Sequence, residues 1–414
     1  MKKYLKLLVC ILIFFPDLSP WEPLWGSLWA ADFGLVLDQT AGYDGFTSNG
    51  TAANSSAVDY SGTLVPWFSA VAGCGNSVHI SASVKVNWEN DTLTYVPELL
   101  RTEFSWSFSH GKFKLGRMPY TDPLGYIAAG LFDGASISLD AGGGSVSLGA
   151  WYTGLLYKER ANITMTPAEL KSYNTVLDYE DFTNTYFAPR RVISVLGWEH
   201  PNLAERARIQ LALLGQFDLA AEDSLHSQYL TGKLSVPVNA LVFDLGGCLE
   251  LMEFSDKYKI ALAGELGVSW MFTAARLSLS GRYAGGVTEN NDSMITAFLP
   301  LSTVYQGEIL KAKFSGLSVV SLNYLGRLHR TFSTGLAASC FMRSDLGTYT
   351  GYPITAGADD GYILGTEMFG RLLWAPVSDI QINLGGGAFL PALGNVDRNA
   401  AMHWRVEMNF ILAL

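Results

Sequence analysis

SVHISASVKVNW, residues Ser77 to Trp88, alternates without a break. Val78, Ile80, Ala82, Val84, Val86 and Trp88 share one parity. Ser77, His79, Ser81, Ser83, Lys85 and Asn87 share the other. Successive β-strand side chains point to opposite faces, so one face is apolar for six positions and the other polar for six. The C-terminal stretch MHWRVEMNFILAL repeats this: Met402, Trp404, Val406, Met408, Phe410, Leu412 and Leu414 oppose His403, Arg405, Glu407 and Asn409. Two such long strands, one at each end of the chain, call for two different solvents.

The bulk composition suits that reading. Of 414 residues 49% are apolar and only 16% charged, against roughly 25% charged in ordinary soluble domains. Beyond the first residues no uninterrupted apolar run reaches the length of about 20 that a membrane-spanning helix needs. Apolar residues dispersed at period two are how a membrane β-barrel carries its hydrophobicity.

The N-terminus reads as an export leader. Lys2, Lys3 and Lys6 precede the apolar core Leu7–Phe15, which Pro16 and Pro20 interrupt. Cleavage after Ala30 or Ala31 makes 1–30 a signal peptide and 31–414 a single barrel. Without 1–30 the chain has 25 basic and 36 acidic residues, a balance that disfavours nucleic acid as a partner. Cys74, Cys248 and Cys340 are far apart, with neither disulfide-framework nor zinc spacing.

Further hairpins follow the same rhythm. FSWSF returns through His110-Gly111 to KFKLGR, and SISLD returns through AGGGS to VSLGAWY. ERARIQLAL, RLSLSGRY and DIQINL alternate as cleanly. Long links are expected at 41–62, 89–100, 118–133, 157–190, 220–227, 285–316, 343–361 and 390–399, with an intermediate link at 254–259 and short turns between. Such alternation marks an up-and-down antiparallel transmembrane β-barrel, long loops outside and short turns in the periplasm. The count is about 18 strands, with 16 as the alternative. All strand amides and carbonyls are then paired, as hydrocarbon requires.

FKLGRMPYTDPLGYIAAGLFDGASISL (Phe113–Leu139) resembles the strand, Gly-Arg, loop, Leu-Phe-Asp-Gly hairpin of outer-membrane porins such as the alginate-export and phosphate-selective channels. The C-terminal strand resembles the signal such barrels present to their insertion machinery, with Leu414 where Phe is usual. The resemblance implies an outer-membrane channel in a diderm bacterium and a place for Arg117 near the pore. Alternation from Phe113 and Leu115 puts Arg117 on the lipid parity unless a bulge intervenes.

Catalysis finds little support in the residues. Of six histidines, His110, His200 and His329 fall in expected turns and His226 in a loop. Only His79 and His403 take the lumen parity, with no Ser or Asp spaced to act with them. Neither a cofactor motif nor a metal-ligand spacing is present. The acidic outer segments, among them Asp178, Glu180, Asp181, Asp359 and Asp360, read as solvated loops, with a calcium site as the alternative. Tyr and Trp near strand ends, Trp67 among them, read as interfacial girdles.

The polar parity is the informative face. It collects Lys85, Arg206, Arg208, Arg276, Arg282, Arg371 and Arg405, with Glu367 and Glu407 among the opposing acids. Inward bases attract anions; the alternative is that they pair across strands and hold the wall together. The leading expectation is a passive channel for small hydrophilic solutes with an anion bias, embedded in outer-membrane lipid as a monomer or homo-oligomer. A transporter for apolar solutes like the fatty-acid family, and a surface barrel whose loops bind ligands, are the rivals. Phe33, Leu35 and Leu37 start a strand at once, leaving no room for the plug of the fatty-acid family.

Overall fold

The computed structural model describes residues 28–47, 55–89, 92–220, 223–254, 257–287, 294–345, 347, 349–351 and 353–414. The expected leader falls mostly on 1–27, outside these residues. Extended pairing already includes Leu28 and Ala30, opposite Ala72 and Val71.

The strands run β1 (Leu28–Thr47), β2 (Ser55–Ala72), β3 (Asn76–Glu89), β4 (Thr92–Phe108), β5 (Gly111–Thr121), β6 (Ala129–Ala141) and β7 (Gly144–Tyr152). Then come β8 (Arg191–Leu203), β9 (Ala207–Asp218), β10 (Leu225–Val238), β11 (Leu241–Phe254), β12 (Lys257–Met271) and β13 (Ala275–Ala284). The remainder are β14 (Leu317–Arg327), β15 (Phe332–Arg343), a small hairpin β16 (Tyr349–Gly351) and β17 (Ile354–Ala356), then β18 (Ile363–Val377), β19 (Ile380–Leu390) and β20 (Met402–Ala413). All but β16 and β17 form one 18-stranded antiparallel sheet. It closes where β1 meets β20, from Val36 opposite Ala413 to Thr47 opposite Met402. The expected barrel and strand number are therefore what the chain forms.

The outer face is greasy. Ile80, Val84 and Trp88 of the first stretch are exposed, as are Leu211, Leu213, Leu245, Leu266, Leu322 and Val406 on other strands. Among the described residues no helix is long and apolar enough to cross a membrane. Lipid is the solvent that a closed sheet with this exterior requires.

Two-residue turns at 109–110, 142–143, 239–240 and 378–379 mark one end of the barrel. The other end carries longer links, with three corrections. The link expected over 41–62 shrinks because β1 and β2 stay paired to Phe46 opposite Ser55. That expected over 89–100 shrinks to two residues because β4 starts at Thr92. A register irregularity beside Ala82, opposite Leu99 and Arg101, interrupts the alternation there, so period-two counting ends the strand too early. The link at 255–256 is likewise short.

Two links fold into the barrel. Residues 153–190 carry helices α1 (Lys158–Ala161), α2 (Pro167–Asn174) and α3 (Phe182–Tyr186). Residues 285–316 are irregular where described. Leu156 and Ile163 from the first, with Phe298, Leu301 and Phe314 from the second, join Leu124 and Ile127 of the 122–128 link. They pack on inward residues of the wall, including Phe132, Trp151, Ile193, Val195, Leu214 and Tyr229. Burial drives this half-plug as it drives a soluble core.

Candidate functional site

Each inward link is anchored by buried polar groups. Asp122 starts the 122–128 turn, its carboxylate accepting the amides of Leu124, Gly125, Ile127 and Ala128 at 2.8–3.0 Å. Burial pushes this carboxyl above its usual range although the four amides pull the other way. In α2, Thr166 caps the Glu169 amide while Glu169 reaches back to the Thr166 amide, a capping box. Glu169 also takes the Arg191 guanidinium at 2.6 Å. Lys158 is buried and donates to the carbonyls of Ser172 and Thr175 beyond α1. Burial pushes its ammonium below the usual lysine range.

The second inward link is tied to the wall on both sides of it, at β10–β11 and at β18. Glu250 accepts the Leu299 amide at 2.8 Å, and the Tyr229 hydroxyl donates to the Leu299 carbonyl at 2.7 Å. Glu367 accepts three successive amides, Glu308, Ile309 and Leu310, at 2.7, 3.1 and 2.9 Å. The two links touch each other. Thr303 donates its amide to the Asn162 carbonyl at 2.8 Å, and the Asn162 side-chain amide returns to the Thr303 carbonyl at 2.6 Å. Thr164 meets the Thr303 hydroxyl at 2.9 Å and accepts from Lys313 at 3.0 Å.

What stays open is a gap between these links and the inner wall of β1–β4, a cavity of about 680 Å³. Asp38, Lys85 and Glu98 reach it from the wall, and Glu159 and Arg160 from the first link. Arg160 and Glu98 pair at 3.0 Å. Nearer the short-turn end lies a wider space of about 730 Å³, lined by Arg276, Asn323, Arg371 and Asn383. Both spaces lie on the inner side of the sheet.

The ten residues named from sequence divide into several groups. Lys85 and Arg276 face these spaces, and among the described residues neither has a carboxylate partner; Arg276 bonds the Ser269 hydroxyl at 2.8 Å. Arg405 binds Asp59, Glu407 and Asp44 at 3.0, 3.2 and 3.4 Å. Arg371 lies 3.5 Å from both Glu308 and Glu407. Arg282 donates to Gln306 at 3.0 Å, sits 3.6 Å from Glu265 and lies over the Tyr126 ring. Arg208 is paired with Glu199 at 2.7 Å.

The rest sit apart from these spaces. Arg206 is in the exposed turn before β9, not on the strand. Glu367 is 3% exposed and serves as the anchor just described. Arg117 stays in register with the outward parity, opposite Thr102. It is only 4% exposed because Asp133 grips it at two 2.8 Å contacts while the carbonyls of Leu99 and Leu155 take its remaining donors. There it clamps the long-link ends of β4–β7 together.

Sequence reasoning missed the loop contribution. Arg160, Asn162, Tyr173, Ser302, Thr303 and Tyr305 all line the gap, yet link residues carry no parity signal. Trp67, read as a girdle residue, faces inward beside His79, ring centroids 6.3 Å apart. A detectable signal was apolar residues on both parities near the long-link ends: Ile193 and Val195 are buried under the links while Val192 and Leu196 face out. His403 stacks on Phe46 at 4.2 Å and approaches Asp44 at 3.5 Å. His226 lies in β10 and His200 in β8 rather than in links.

Neither a family model nor a curated protein matches the sequence. Solved structures do. Pseudomonas aeruginosa OccK5 (OpdH) matches with a TM-score of 0.59 at 9% identity, over 92% of this chain and 98% of that one. P. aeruginosa OccK2 (OpdF), solved in complex with glucuronate, gives 0.57 at 11% identity over 92% and 98%. Acinetobacter baumannii OccAB1 gives 0.54 at 11% identity over 92% and 97%. Likeness at such identity is a likeness of fold.

Proposed function

We propose that this chain is a passive channel of the outer membrane of a diderm bacterium, admitting small hydrophilic solutes. The observation that carries the reading is the water-accessible gap left between two inward links and the polar wall of a closed, lipid-compatible barrel. The shared fold with OccK5 and OccAB1 supports it. OccK2 was solved with glucuronate, and a small carboxylate of that kind would meet Lys85 and Arg276 as inward cations without carboxylate partners. An anion bias thus rests on these two of the residues named from the sequence, since Arg282, Arg371 and Arg405 carry acids of their own. Residues 1–30 serve as the export leader in this reading, and the β20 strand as the signal to the insertion machinery. Assembly as a homo-oligomer would leave each barrel with its own passage.

Two measurements test it. The purified protein in planar bilayers should give discrete conductance steps; a silent bilayer refutes the channel. Cysteine introduced at exposed Asp359, at the long-link end, should label on intact cells, whereas cysteine at Asp140, beside a two-residue turn, should not. The reverse pattern would invert the orientation. Ser172 is a poor probe of the outside because α2 folds inward.

A further inference from the structure

Two buried polar atoms beside the gap make no hydrogen bond among the described residues. Ser302 is 2% exposed, yet its hydroxyl has no hydrogen-bond partner among the described residues. The Asn162 side-chain oxygen is likewise buried and unpartnered. Both line the gap. Buried polar atoms are rarely left so, because an unmade hydrogen bond is costly. Both atoms are closed to solvent as packed, so the hydroxyls that a solute in the gap would meet come from the facing wall.

Aromatic surface lies beside them. The phenols of Tyr173 and Tyr305 enter from the two links, and from the facing wall come the hydroxyls of Thr40, Ser61 and Thr63. Val65 borders both this gap and a second space of about 510 Å³ toward the short-turn end, where Trp67 and His79 sit. Across Val65 the two spaces set hydroxyls and phenols on one side and an indole on the other. Its charges come in both signs, Lys85 and Arg160 against Asp38, Glu98 and Glu159. A single-sign trap for ions would not mix them.

This chemistry fits one class of solute. A sugar ring has hydroxyls that donate and accept at its rim, and an apolar C–H face that packs on an aromatic ring. A bare anion uses neither. We propose that the gap from Ser302 to Trp67 is a recognition subsite for an uncharged polyhydroxylated solute of saccharide type. The inference rests on the channel reading and adds what the channel selects. Trp67 supplies the stacking platform, Tyr173 and Tyr305 the upper wall, and Thr40, Ser61 and Thr63 the hydroxyl contacts.

Sucrose in planar bilayers tests it, with polyethylene glycol of matching size as the control. Sucrose should reduce the single-channel current saturably, whereas the glycol should reduce it only in proportion to concentration. Trp67→Ala should raise the half-blocking concentration about ten-fold, the loss of one aromatic platform. Thr63→Val should raise it less, with conductance steps and heat-modifiable migration retained as evidence of folding. Sucrose and glycol acting alike, saturable block by gluconate but not sucrose, or a sucrose block that neither variant moves would each overturn the inference while leaving the channel standing. Absence of conductance steps would remove the channel and the inference with it.

Discussion

Arg191→Met should unseat the first inward link and raise the single-channel conductance several-fold. Arg191 begins β8 and is fully buried. Its guanidinium bonds Glu169 of α2 at 2.6 Å, Asp218 of β9 at 3.1 Å and the Leu225 carbonyl at 2.9 Å, and it contacts Gln216. The two carboxylates are themselves less than a tenth exposed. Taking away the cation leaves them buried without it, a loss of about 3–5 kcal/mol for a broken buried pair. The least costly relief is for Glu169 to leave, and α2 leaves with it, which frees the Asn162–Thr303 contact between the links. The barrel, held by its closed hydrogen-bond ladder, should persist. Proteolysis within 153–190 should become fast while the heat-modifiable band remains. Adding Glu169→Gln and Asp218→Asn to Arg191→Met should restore most of the protection, since the uncompensated charges are gone. A narrow, protease-resistant channel in Arg191→Met alone would show that apolar packing holds this link by itself.

The wall was legible from the sequence and the plug was not, for one physical reason. Lipid and water impose a period of two on every strand that separates them, so Ile80 against Ser81 or Val406 against Arg405 can be assigned from parity. The inward links obey no such period. Their burial depends on contacts between residues far apart, such as Asn162 with Thr303 or Glu367 with the 308–310 amides, and no local pattern announces them. Parity also says nothing about a partner. It puts Arg405 and Arg371 on the lumen side, but only the folded barrel brings Asp44, Asp59 and Glu407 from the wall and Glu308 from the second link to them. Arg117 shows the converse: a charge on the outward parity is tolerated because Asp133 and two carbonyls satisfy it at the barrel's rim. The strand ends failed for a related reason, since β1, β2 and β4 continue pairing past the point where the lipid period stops.

Charge reversal at Lys85 and Arg276 should move the reversal potential toward cations far more than reversal at Arg206 and Arg208. A base held about 3 Å from a carboxylate adds little field at a distance, because the pair is nearly neutral when viewed from the pore axis. Arg208 is in that state with Glu199 at 2.7 Å, and Arg206 sits in an exposed turn where water and salt screen it. Lys85 and Arg276 differ: each borders an aqueous space inside the barrel, and neither has an acid within ion-pair reach among the described residues. Low-dielectric walls focus the field of such charges along a narrow passage. Lys85→Glu would place a third wall carboxylate with Asp38 and Glu98 in the gap. With Arg276→Glu the anion-to-cation permeability ratio should fall on the order of ten-fold at ~0.1 M salt. The shift should shrink at ~1 M salt, where the screening length drops from about 10 Å to about 3 Å. Equal effects from the two pairs of substitutions would mean that ions follow a route along the β8–β9 wall instead of the gap at β1–β4.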